Sequence, residues 1–112
     1  MKKAALFLPF LLLAAGFSFG QEQYGNLRGI IVDKEGAPLP GVAVRLESEL
    51  FAPRSVVTSE GGLFRLINVS PGVYSLRCEL PGFKTYLQKN LDIRVGTNFD
   101  LKIVLEMATI EG

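Results

Sequence analysis

Histidine and tryptophan are absent from this chain, and cysteine occurs once, as Cys78. The missing histidine removes the commonest general base and the commonest metal ligand. A single thiol can neither build a zinc site nor close an internal disulfide, so an apolar core has to hold the fold by itself. Charge of one sign is also lacking, with 12 Lys+Arg set against 11 Asp+Glu. That balance argues against nucleic acid and against an anionic membrane surface as partners. Helical spacing of apolar residues is not sustained anywhere. A phosphate cradle at Gly61-Gly62 would need a helix to follow it, so those glycines read as turn residues and no cofactor is expected.

What is present begins with a targeting segment. Lys2-Lys3 form a positive start, Ala4 to Ala15 is an apolar run, and Ser18 and Gly20 stand at the −3 and −1 positions of a cut before Gln21. A membrane span needs about 20 apolar residues. This run is shorter and is broken by Pro9. Residues 1–20 are therefore expected to be a cleaved signal peptide, and the mature chain to carry no transmembrane segment. A lipid anchor would need a cysteine just after the cut, and Cys78 lies far from it. Without Lys2 and Lys3 the remaining chain has 10 basic and 11 acidic residues, close to neutral.

Beyond the leader the period is two. Val42, Val44 and Leu46 alternate with Ala43, Arg45 and Glu47, and Phe99, Leu101, Ile103 and Leu105 alternate with Asp100, Lys102 and Val104. Such alternation describes half-buried strands with one solvated face. Further strands are expected over Leu27–Asp33, Arg54–Thr58, Leu63–Ile67 and Tyr86–Val95, the last interrupted near Asn90. In Val73–Leu80, Tyr74, Leu76, Cys78 and Leu80 share one face, which makes Cys78 a buried structural thiol rather than a reactive one. Turn signals separate the runs: Lys34–Pro38, Leu39–Gly41, Ser59–Gly62, Ser70–Gly72, Leu80–Gly82 and Val95–Asn98. About seven short strands bounded by such turns predict an all-β fold, a single antiparallel sandwich. Its inner faces would meet across Ile31, Val44, Leu46, Phe64, Leu66, Tyr74, Leu76, Leu101 and Ile103.

Candidate chemistry is sparse. Glu47 and Glu49 stand on a strand's outer face and its exit, and Asp33 and Glu35 flank a turn, so nothing marks a carboxylate pair as catalytic. Sugar binding would use an aromatic platform, for which Phe51, Phe83, Tyr24 and Tyr86 lie in loops or beside turns. Phe83, following Pro81-Gly82, reads more readily as a cap on the core, and Phe51 is the best exposed candidate. An edge strand offers another route, because it can accept a partner strand through its backbone. Arg54–Thr58 is the strand expected to do so.

Five segments, in order, carry a resemblance: Gly29–Asp33, Gly36–Val44, Thr58–Phe64, Asn68–Leu76 and Leu80–Phe83. Together they resemble the carboxypeptidase regulatory-like domain over residues 26–106, leaving 21–25 as a linker and 107–112 as a tail. The resemblance implies a seven-stranded transthyretin-like (prealbumin-like) sandwich, grouped by fold with starch-binding and collagen-adhesin B-type domains. It brings no catalytic residue with it. In bacteria such domains commonly form the N-terminal periplasmic extension of TonB-dependent outer-membrane receptors, so the chain looks like the front of such a receptor or a freestanding relative. The resulting expectation is a non-catalytic exported module, periplasmic, outer-membrane-associated or secreted, with a protein partner in the cell envelope. The alternative is a small carbohydrate-binding module that takes a glycan. Phe51, Tyr86 and Phe83 are the expected contact residues in either case.

Overall fold

Alternating apolar and polar residues build seven strands in the computed structural model, which describes residues 23–109. The expected signal peptide, residues 21–22 of the linker and residues 110–112 of the tail lie outside the described residues. The strands are β1 (Gly25–Val32), β2 (Ala43–Glu47), β3 (Arg54–Val57), β4 (Leu63–Val69), β5 (Gly72–Glu79), β6 (Tyr86–Ile93) and β7 (Asn98–Val104). They form two sheets, ordered β4-β1-β7 and β3-β2-β5-β6. The all-β sandwich is thus the observed class.

One pairing departs from the antiparallel expectation. β7 runs parallel to β1, with Asn26 opposite Asn98 and Val32 opposite Val104. Side-chain alternation reveals which face of a strand is buried but not which way the strand runs. The direction follows from the connection: residues 94–97 carry the chain from the edge of one sheet to the edge of the other, so β6 and β7 are not a hairpin.

The core forms where the two inner faces meet. Leu27, Ile31, Val44, Leu46, Leu66, Leu76, Cys78, Ile93 and Ile103 are fully or almost fully buried, joined by Phe64 and Tyr74. Burying each large side chain contributes about 1.5–3 kcal/mol before entropy is subtracted. Leu101, expected in this set, is only half-buried, because β7 ends its sheet and has no neighbour beyond it among the described residues. Cys78 is enclosed, and burial pushes its thiol up to about 12.

Two devices fix the loops. Thr58 is a buried polar residue whose Oγ1 accepts from Val42 N at 2.9 Å and donates to Leu39 O at 2.7 Å, satisfying a loop that would otherwise bury bare backbone. At the far end, Lys84 N donates to Glu106 O at 2.8 Å and Ala108 N to Gly82 O at 2.9 Å. The β5–β6 turn is therefore tied to the residues after β7, including Met107, which bridges to Phe83.

Candidate binding site

The β2–β3 loop, the start of β5 and the middle of β6 come together at one end of the four-stranded sheet. Ser48 opens the loop, and its Oγ accepts from Leu50 N at 3.0 Å, a local bond that bends the chain and lifts Leu50 outward. Phe51 then stacks on Tyr74 with ring centroids 6.4 Å apart and 18° between planes. Tyr74 is itself fixed, donating its hydroxyl to Ser70 O at 2.6 Å. Its phenol is raised above the ordinary value by burial, against a smaller lowering by the Arg54 charge. The Arg54 guanidinium clasps the end of β4, donating to Ile67 O at 2.9 Å and Asn68 O at 3.2 Å.

β6 supplies the third wall. Asn90 takes a left-handed φ of 63°, and the β5–β6 register shifts between Tyr74 and Leu76 at this bulge. The extra residue turns Lys89 and Asn90 toward the outer side beside Ser75. The result is a shallow depression of about 710 Å³ with Leu50, Val73 and Tyr74 on its apolar side and Glu49, Lys89 and Asn90 among its polar groups. Leu50 is 81% exposed and Val73 58%, while Phe51 is 41% exposed beside them. Leu50 on the loop and Val73 on β5 thus hold two exposed aliphatic side chains to one depression, and the neighbouring Phe51 packs on Tyr74.

The structure separates the three residues expected to make contacts. Phe51 does not itself line the depression but packs on Tyr74, which does. Phe83 lies in the β5–β6 turn at the other end of the sandwich, roughly 25 Å away along β5, where it packs partly against the core. Tyr86 faces inward from β6, also packs partly on the core, and donates its hydroxyl to Gln88 Oε1 at 3.0 Å. Tyr24 is 44% exposed just before β1, with its carbonyl bonded to Gly96 N. The alternation pattern missed Leu50 and Val73, which sit on the solvated side of their segments. The break near Asn90 was the available signal for Lys89 and Asn90. The suspected edge strand, β3, does end the four-stranded sheet.

The model of the carboxypeptidase regulatory-like domain matches residues 26–106. The chain belongs to the carboxypeptidase regulatory-like domain family. Among curated proteins, the TonB-dependent transporter Oar of Myxococcus xanthus is 28% identical over 100 residues, covering 85% of this chain and 9% of the transporter. This regulatory-like domain therefore spans a small part of that relative's length. Among solved structures, the Bacillus anthracis TIE protein superposes with a TM-score of 0.65 at 22% identity, over 76% of this chain and 17% of that one. A Bacteroides uniformis structure, described as a candidate carbohydrate-binding protein, gives a TM-score of 0.60 at 16% identity over 72% of this chain and 40% of that one. At such identities the structural likeness shows the fold alone.

Proposed function

We propose that this regulatory-like domain is a non-catalytic, exported interaction module of the cell envelope, periplasmic or outer-membrane-associated, which binds a protein partner at the loop end formed by Leu50, Phe51 and Val73. The observation that carries the reading is the exposure of Leu50 and Phe51 on a loop fixed by the Ser48 bond and the Phe51–Tyr74 stack, with exposed Val73 of β5 lining the same depression as Leu50. Preorganised apolar anchors beside a few polar groups are what protein interfaces use at their centres, because little conformational entropy is lost on docking. Glu49, Lys89 and Asn90 would supply the polar rim. The relation to a TonB-dependent transporter and the leader-like N-terminus support the envelope address. No helix of the described residues is long and apolar enough to cross a membrane.

A glycan is the second reading, favoured by Phe51, whose ring has Tyr74 on one face. The two aliphatic anchors favour polypeptide over sugar, since a pyranose stacks on rings. One comparison separates the readings: envelope extract and a glycan array, each probed with the wild-type domain and with Leu50→Ser/Val73→Ser. The proposal expects a discrete envelope protein bound by wild type and lost in the variant. Glycan binding that survives the variant and disappears in Phe51→Ala would replace it with the second reading.

A further inference from the structure

Sheet edges expose backbone groups that a second strand can satisfy, and this fold blunts three of its four edges. β3 is four residues long and is pinned to β4 by Arg54, which also occupies the Ile67 and Asn68 carbonyls of the β4 edge. β6 is broken by the Asn90 bulge. β7 has none of these defences. Its seven residues run in unbroken register along β1, with no bulge, proline or left-handed residue.

The unpaired groups of β7 can be assigned. Leu105 N donates to Val32 O at 2.9 Å. Along a strand the N–H and C=O of one residue point to the same side, and successive residues alternate. Phe99, Leu101 and Ile103 therefore bond to β1, while the backbones of Asn98, Asp100, Lys102 and Val104 point away from the sheet. On the inner flank, Phe99 and Leu101 stay only half-buried.

This row is complementary to itself. Antiparallel pairing of two β7 strands about a two-fold axis at Leu101 sets Asp100 opposite Lys102 of the second copy, and Lys102 opposite its Asp100. Asn98 then meets Val104. Every residue in these pairs belongs to the set with outward-pointing backbone. Moving the axis one residue either way would put Asp100 on Asp100 or Lys102 on Lys102, and like charges directly opposite are unfavourable. Of these three registers, charge favours the one centred on Leu101. The bond from Arg28 Nη2 to Asp100 Oδ2, at 3.3 Å, leaves the other carboxylate oxygen for the lysine.

We propose that β7 is a homodimerisation edge, through which two copies of this chain join their three-stranded sheets into one six-stranded sheet. The edge belongs to the sheet opposite the loop-end depression, so the two proposals stand or fall separately. A strand pair of this length is at the small end of specific interfaces, so association is expected to be weak and symmetric. The test is sedimentation of the purified protein in low-salt buffer, from about 1 μM to about 1 mM. Wild type should move toward twice the monomer mass, and Asp100→Lys and Lys102→Asp should each stay monomeric. Mixing those two variants should restore a dimer, as should the double exchange Asp100→Lys/Lys102→Asp. Both side chains are exposed, so circular dichroism is expected to show the same fold throughout. Wild type that remains monomeric over the whole range, or single variants that dimerise as wild type does, would overturn the proposal.

Discussion

Phe51 lies against Tyr74 at 6.4 Å between ring centroids, and Tyr74 is anchored by its hydroxyl on Ser70 O. The half-exposed ring is therefore placed by a buried one, which couples the putting-forward of the loop to the core. Off-centre aromatic pairs of this kind contribute about 0.5–1.5 kcal/mol beyond the area they bury.

Phe51→Ala is accordingly expected to leave the domain folded, lowering its stability in urea by about 0.5–1.5 kcal/mol, while weakening partner capture at least as much as Leu50→Ser does. Tyr74→Phe should show the opposite balance. It keeps the stack but leaves Ser70 O without its donor, so equilibrium unfolding should register a loss of about 0.5–1.5 kcal/mol with capture largely retained.

Thr58 offers a test of the loop architecture. Thr58→Val keeps the shape but removes both the acceptor for Val42 N and the donor to Leu39 O. Leaving such groups buried and unpaired costs about 1–3 kcal/mol, measurable as a lowered urea midpoint at unchanged slope. Thr58→Ser preserves both bonds and should retain most of the stability.

Gly62 sits at φ 76°, and a Cβ there would stand 2.6 Å from Ile31 O. Because that neighbour is backbone, it cannot swing aside. Gly62→Ala is expected to cost about 1–3 kcal/mol, whereas Gly36→Ala, also left-handed but in open space, should cost less. Thermal unfolding of the two variants side by side gives the comparison.

Cys78 and Tyr74 set the alkaline limit. Both acids are held above their ordinary values of 9.0 and 10.0 by burial, so the native state keeps protons that the unfolded chain releases. Stability is then fully present below about pH 9 and falls as pH rises toward the native thiol value of about 12. Cys78→Ala should flatten that decline, read as the urea midpoint against pH. The native thiol should also resist alkylation at pH 8 until denaturant is added.

Much of the fold was legible because burial imposes period two on every strand, and Gly and Pro mark the stops between them. Leu63, Phe64, Arg65 and Leu66 show the pattern plainly, with Phe64 and Leu66 buried and the others exposed. The parallel course of β7 was not legible, since direction is set by a tertiary connection. Nor was Leu101's half-burial, which depends on β7 ending its sheet among the described residues. At the candidate site, Phe51 could be singled out as a loop aromatic. Leu50 and Val73 could not, because exposure of an aliphatic side chain is decided by the Ser48 turn and by which face of β5 meets the core. Tyr86 looked available beside a turn, yet its position opposite Cys78 on β5 directs it inward.

The central claim, that the loop end binds an envelope protein, is tested most directly by site-specific photo-crosslinking in living cells. A photoreactive residue would replace Leu50 or Val73 in turn, with Glu35 at the opposite end of the sandwich as the control position. The account predicts one discrete adduct, the same from Leu50 and Val73 and absent from Glu35. No adduct from either site, or an identical pattern from Glu35, would contradict it.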